Sequence, residues 1–238
     1  MNPLYVTVGT SAVENADIGR GNRKVNERLR RDVADFLADA DDYKEQSSTW
    51  AILKDDLVTA HEAFWTLDER SIRNPDNYRQ TSAELLSTYL LVAKRKIDFD
   101  LIVLLCSQTA EGRFAAEINR RVFSGPAYRK RLPLLHAKVE VLEVRGLNES
   151  IVGAVGELRR ILFDGSQEIV RVNMTGAYKG VAAVLGLLAG LETKKKLRLF
   201  YFHEKSEQPI VLMADHPPSQ APAPGVEAGF SGPLGDIF

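Results

Sequence analysis

Short apolar runs alternate along the chain with longer segments in which apolar residues recur every three or four positions. Predominantly apolar runs of strand length occupy residues 4–8, 101–105, 139–144 and 169–172. Helical spacing marks the segments 25–37, 50–64, 85–90, 114–122, 151–162 and 180–191. Two further apolar runs, 197–202 and 210–213, lie close together and predict a terminal β-hairpin.

This alternation predicts an α/β protein. Strands that read as continuous apolar runs are typical of a parallel sheet covered by helices on both faces. We therefore expect a Rossmann-like, open, mostly parallel sheet within a domain spanning residues 1–214. Residues 17–23 are polar and glycine-rich, which indicates a surface loop. The four residues from Thr81 to Glu84 have the spacing of a capping box and predict a helix start.

The last segment, residues 215–238, has a different composition. It holds five of the ten prolines of the chain and four glycines. Such a sequence forms little regular structure, and we expect a disordered tail. Its final apolar residues offer a docking point for a protein partner; they are Phe230, Leu234, Ile237 and Phe238.

Composition and charge narrow the function classes. The net charge is −1 and the pI about 6.5, so no overall positive field attracts long nucleic acid. One cysteine, Cys106, excludes an internal disulfide and suits a reducing cytoplasm. We expect no membrane span and no signal peptide. The four histidines are scattered without zinc spacing, so neither a metal nor a cofactor is predicted.

Three predicted strands end in turns rich in small polar residues, each followed by a predicted helix. Hydroxyls, glycine N–H groups and helix N-termini favour phosphate, and a lysine adds positive charge. Because parallel strands end at one edge of a sheet, we expect these turns to form one site for a phosphate-containing ligand. The candidate residues are Gly9, Thr10, Ser11 and Asn15; Ser107, Gln108, Thr109 and Gly112; and Asn173, Thr175, Gly176 and Lys179.

The familiar nucleotide motifs are absent from these turns. The segment GAYKG, residues 176–180, lacks the spacing of an NTPase phosphate loop. The glycines at 19 and 21 do not follow a predicted strand, which argues against NAD. The expected ligand is therefore a small polyanion of another kind.

Four segments in order, VTVGTS, SAEL, LLCSQTAEGR and VNMTGAYKG, resemble the CARF domains of CRISPR-associated proteins. The resemblance is closest to the stand-alone CARF ring nucleases of type III CRISPR systems, and it extends over about residues 1–214. It implies a cytoplasmic homodimer that binds cyclic oligoadenylate, usually the tetramer, and cleaves it. By motif, Ser11 and Lys179 are the implied catalytic pair, and the other candidates line the ring. Gln108 and Ala177 depart from the family pattern, which often has an acid and a second glycine there.

Two other functions remain open at this stage. A CARF sensor binds the ring without cleaving it and regulates a separate effector. A sugar-phosphate or nucleotide enzyme is a second alternative, because fold alone does not decide function.

Overall fold

The computed structural model describes residues 2–15, 31, 35, 48–95, 97–132, 137–145, 151–176, 179–191, 195–202 and 210–214. The predicted tail at 215–238 and the predicted loop at 17–23 lie outside these residues. Most of the predicted helix at 25–37 also lies outside them, although Arg31 and Asp35 are helical.

The described strands form one six-stranded sheet in the order β3-β2-β1-β4-β5-β6. The strands are β1 (Pro3–Thr7), β2 (Leu101–Ser107), β3 (Lys138–Val144), β4 (Ile169–Asn173), β5 (Lys196–Tyr201) and β6 (Ile210–Ala214). The first five are parallel, and β6 pairs antiparallel with β5. The predicted Rossmann-like sheet and its terminal hairpin are confirmed.

Helices connect the strands and lie on both sheet faces. The helices are α1 (Ser11–Glu14), α2 (Ser48–Trp65), α3 (Glu69–Ile72), α4 (Ala83–Arg95), α5 (Ala110–Ser124), α6 (Pro126–Arg131), α7 (Ile151–Phe163) and α8 (Lys179–Leu191). A 3₁₀ helix spans Pro75–Gln80. The short elements α3, α6 and the 3₁₀ helix were not predicted, because four to six residues are too few to show recurring apolar spacing. None of the described helices is long and apolar enough to cross a bilayer.

Alternate residues of each central strand enter two separate cores. Leu4 and Val6 of β1 pack with α2, α4 and α5, whereas Tyr5 between them packs with α7 and α8. This arrangement follows from the two-residue period of a strand, whose neighbouring side chains point to opposite faces. Both faces of the sheet centre are therefore buried.

The edge strand β3 does not follow this pattern. Val141 and Leu142 are each 37% exposed, although the sequence predicted a fully buried run. Among the described strands β3 pairs only with β2, so it lies at the sheet edge, where coverage is incomplete.

Strand order places the site at the centre of the sheet. The first strand, β1, lies between β2 and β4, so the chain leaves β1 in one direction across the sheet and later returns to its other side. Such a reversal leaves a crevice beyond the carboxyl ends of the strands, where ligands of α/β sheets bind. The three polar turns all follow these three strands.

Candidate functional site

The first turn links β1 to the four-residue helix α1. The N–H of Gly9 donates to Oε1 of Glu84 at 2.7 Å, and the Ser11 hydroxyl donates to Oε2 at 2.5 Å. Oγ of Ser11 also accepts the N–H of Ala83 at 3.0 Å. Ser11 therefore satisfies the first free N–H of α4, a helix to which it does not belong. Thr10 is half-buried, and its hydroxyl donates to Glu14.

The helix start predicted at Thr81–Glu84 is confirmed, since α4 begins at Ala83, but the role of Glu84 differs from the prediction. Its carboxylate does not complete a capping box, because it binds the β1–α1 turn instead. Ser82 caps α4, since its hydroxyl accepts the N–H of Leu85 at 3.2 Å. The Glu84 side chain has no exposed surface, and this burial raises its pKa, whereas its hydrogen bonds oppose the rise. The sequence did contain a signal, because Glu84 is the one acidic residue of α4.

The same carboxylate contacts the third turn. Gly176 lies close to Glu84 and to β1. A Cβ built on Gly176 would meet Oε1 of Glu84 at 2.1 Å and the Thr7 carbonyl oxygen at 2.7 Å. A Cβ on Gly9 meets the Gly176 carbonyl oxygen at 2.2 Å. Both turns therefore need glycine for their close approach. Glu84 fills the space between the turn that carries Ser11 and the turn that leads to Lys179.

Asn173, the last residue of β4, holds the third turn and is fully buried. Its amide nitrogen donates to the hydroxyls of Ser87 at 2.7 Å and Thr88 at 3.1 Å. Its Oδ1 accepts the N–H and the hydroxyl of Thr175 at 3.2 and 2.8 Å. The Thr175 oxygen in turn accepts the N–H of Phe202 at 3.0 Å. Asn173 thus fixes the shape of the turn rather than facing solvent.

Helix α8 begins at Lys179, directly after this turn. The backbone position places Lys179 at the same sheet edge as Ser11. The described side chains do not include that of Lys179, and Ala177 lies outside the described residues.

The second turn, after β2, also combines buried and exposed groups. The Ser107 and Thr109 hydroxyls lie 2.8 Å apart, and Thr109 caps α5 by accepting the N–H of Gly112 at 3.1 Å. A Cβ on Gly112 meets Oγ of Ser107 at 2.2 Å, so this position also requires glycine. Gln108 is exposed, whereas Ser107 is buried. Gln108 is therefore the side chain of this turn best placed to touch a ligand.

A cleft opens beside the first and third turns. Its lining includes Asn15 and Thr175 from the predicted set, together with Tyr78, Arg79 and Phe202. The amide of Asn15 donates to the Thr81 carbonyl at 3.3 Å, which fixes one wall. The cleft is narrow, because the Tyr78 and Phe202 rings in its wall pack edge-on against each other and are almost fully buried.

His61 supports the first turn from α2, a role that the sequence analysis missed. It is fully buried, and its Nε2 lies 2.7 Å from the Ala12 carbonyl oxygen, to which it donates. Burial lowers its pKa to about 4, so the ring is neutral near pH 7. This contact was not predictable from local patterns, because His61 and Ala12 are far apart in the chain.

The three turns thus meet at adjacent strand ends, together with the N-termini of α5 and α8. Aligned peptide dipoles give a helix N-terminus a partial positive charge, which favours an anion. In the described part of the chain, no group of three or more His, Cys, Asp or Glu side chains is placed to hold a metal ion. The two helix N-termini are the features of this arrangement that favour an anion, because the hydroxyls of Thr10, Ser11 and Thr175 already donate within the protein.

A protein-family comparison matches residues 79–213, more than half of the 238 residues, with the family described as CRISPR-associated protein (Cas_APE2256). The chain belongs to this CRISPR-associated family. The matched range contains Glu84, the second turn and the third turn, whereas the Ser11 turn precedes it. A comparison with curated proteins found no match to the sequence of this chain.

Proposed function

We propose that this CRISPR-associated protein is a ring nuclease that binds cyclic oligoadenylate, with cyclic tetra-adenylate as its substrate. The observation that carries the proposal is the meeting of three polar turns at the ends of β2, β1 and β4. A ring of nucleotides presents several phosphates to one compact surface. Helix N-termini bind such a ligand without a strong overall positive charge, in keeping with the net charge of −1.

Symmetry supports a homodimer as the active form. A two-fold dimer presents the same patch twice, and it can meet a ring with repeated nucleotides from both sides. Two copies of Lys179 then converge on one ligand. Light scattering with and without cyclic tetra-adenylate tests the proposed dimer. A monomeric mass in both conditions contradicts it.

The proposed reaction uses the ribose of the substrate as the nucleophile. The 2′-hydroxyls of two opposite riboses each attack the neighbouring phosphate, one at each copy of the site in the dimer. The two cuts give two molecules of linear di-adenylate, each with a 2′,3′-cyclic phosphate and a 5′-hydroxyl. Holding the 2′-oxygen in line with the leaving 5′-oxygen supplies much of the rate. Ser11 orients the ribose, and Lys179 stabilises the negative charge that develops on the phosphate. No metal takes part in this scheme.

The test is incubation of the purified protein with cyclic tetra-adenylate in EDTA, followed by liquid chromatography and mass spectrometry. We expect conversion to di-adenylate with a 2′,3′-cyclic phosphate. Ser11→Ala and Lys179→Ala should each lower the turnover at least ~100-fold, the scale for losing one electrostatic stabiliser. Ser124→Ala and Lys196→Ala are matched controls, because both residues are exposed and lie away from the three turns. Cleavage at the wild-type rate by both site variants overturns the assignment.

One observation favours a second candidate, a sensor that binds the ring and leaves it intact. The Ser11 hydrogen already points to Glu84, so this hydroxyl has no hydrogen left for a phosphate oxygen. A binding titration on the same sample separates the two functions. Tight binding without cleavage identifies a sensor, and no binding overturns both.

A further inference from the structure

Glu84 presents an acid with no exposed surface at a site proposed to bind phosphates. A buried carboxylate is costly unless hydrogen bonds compensate for its lost hydration. Here the compensation comes from the N–H of Gly9 and the hydroxyl of Ser11, at 2.7 and 2.5 Å. The carboxylate also belongs to the first turn of α4, where the helix dipole favours negative charge.

The bond between Ser11 and Glu84 decides what Ser11 can offer a ligand. A serine hydroxyl has one hydrogen and two lone pairs. The hydrogen goes to Oε2 of Glu84, and one lone pair accepts the N–H of Ala83. The remaining lone pair attracts a donor. A ribose 2′-hydroxyl is such a donor, whereas an ionised phosphate oxygen is not.

We propose that Glu84 is the positioning residue of Ser11 and the final acceptor of the proton that leaves the ribose 2′-hydroxyl. This inference rests on the proposed ring cleavage. The 2′-hydroxyl proton passes to Oγ of Ser11 while the Ser11 proton passes to Oε2 of Glu84. The bond between the 2′-oxygen and phosphorus forms, and the bond from phosphorus to the 5′-oxygen breaks. The departing 5′-oxygen takes a proton from the ammonium of Lys179.

The surroundings of Glu84 fit this role. The groups that face it from the first turn are the Gly9 N–H and the Ser11 hydroxyl, and its own helix contributes Ser82. The third turn contributes the Gly176 backbone, ahead of Lys179 at the start of α8. Burial raises the pKa of Glu84, which makes its ionised form a better proton acceptor. The rate should therefore rise with pH as Glu84 ionises.

The first experiment compares wild type with Glu84→Gln. The amide keeps the size of the side chain: its oxygen can accept the Gly9 N–H, and its NH₂ can donate to Ser11. The variant still binds the ring but cannot accept a proton. We expect kcat to fall at least ~100-fold, the lower end for losing a general base. We expect Kd to stay close to the wild-type value. Glu140→Gln on β3, an exposed acid far from the turns, is the matched control and should cleave normally.

A double variant tests whether Glu84 acts through Ser11, and the pH profile tests whether it accepts a proton. If Glu84 acts through Ser11, then Ser11→Ala/Glu84→Gln cleaves as slowly as Ser11→Ala alone, because one pathway is removed twice. If the double variant instead shows the product of the two single-variant losses in kcat, the two residues act independently, and the inference is overturned. The acidic limb of the kcat profile should also disappear in Glu84→Gln. An unchanged limb overturns the inference as well.

The outcomes also separate this inference from the proposed function. Cleavage by wild type and by Glu84→Gln at equal rates removes only the role of Glu84. An intact ring with wild type removes both. If Glu84→Gln does not melt cooperatively, the kcat–pH profiles of wild type and Ser11→Ala decide instead. An acidic limb that is present in wild type and absent from Ser11→Ala supports the inference. The same limb in both proteins overturns it.

Discussion

Replacing Gly176 by alanine tests the contact between Glu84 and the third turn. The new Cβ lies 2.1 Å from Oε1 of Glu84, 2.6 Å from its Cδ and 2.7 Å from the Thr7 carbonyl oxygen, whereas ordinary contacts begin at 3.4 Å. Thr7 is part of the central strand, so its carbonyl has little freedom to move. Glu84 is held at both oxygens by Gly9 and Ser11. Neither the Glu84 carboxylate nor the Thr7 carbonyl can move away from the new Cβ without disturbing its own contacts.

The expected cost follows from this overlap. Overpacking of a closely packed site costs typically 1–3 kcal/mol, and we expect about 3 kcal/mol here because the overlap is severe and two hydrogen bonds are disturbed. For a protein of this length, each kcal/mol lowers the melting temperature by about 2–4 °C, so Gly176→Ala should melt about 6–12 °C below wild type. Turnover should fall as well, since Ser11 depends on the same carboxylate.

The assay is thermal unfolding followed by circular dichroism, with Gly186→Ala as the matched control. Gly186 lies in α8, and a Cβ there meets nothing within 4 Å. Alanine is the better helix former by about 1 kcal/mol, so this variant should melt at or slightly above the wild-type temperature. A Gly176→Ala variant that melts with wild type refutes the contact. If the melting temperature falls equally in both variants, the loss is a general effect of replacing glycine and not of this contact.

Two further predictions concern the support of the site. Asn173→Ala removes the bonds to Ser87, Thr88 and Thr175 and leaves buried polar groups unpaired, so urea unfolding should show a loss of about 3 kcal/mol; a loss below about 0.5 kcal/mol, the scale of a surface change, contradicts the network. His61 has a pKa lowered by burial from 6.5 to about 4, so the stability of its neutral form is complete above pH 6.5 and is lost as the pH falls toward 4. Between pH 7 and 5 wild type should lose about 2 kcal/mol more than His61→Gln, whose amide can still donate to Ala12, and parallel pH curves contradict this.

The sheet and the meeting of the three turns were predictable from the sequence, because both depend on local patterns. Apolar runs specify the strands, and parallel connections bring the strand ends to one edge. The contacts among the turns were not predictable in this way. Glu84 reads as a capping residue by spacing alone, and only the packing of α4 against β1 shows that Gly9 and Ser11 supply its partners. Asn173 likewise reads as a ligand-facing residue, yet its amide is fully used within the protein.

The first two turns of α4 contact three distant parts of the chain at once. Glu84 meets the β1–α1 turn and Gly176, Ser82 donates to Asn119 of α5 at 2.6 Å, and Ser87 and Thr88 bind Asn173. A change at any of these positions in α4 alters the partner that another segment needs. In an alignment of relatives, we therefore expect residues 82, 84, 87 and 88 to vary in concert with residues 9, 119, 173 and 176. This short helical segment should evolve as one unit with the first and third turns, more slowly than the exposed strand β3.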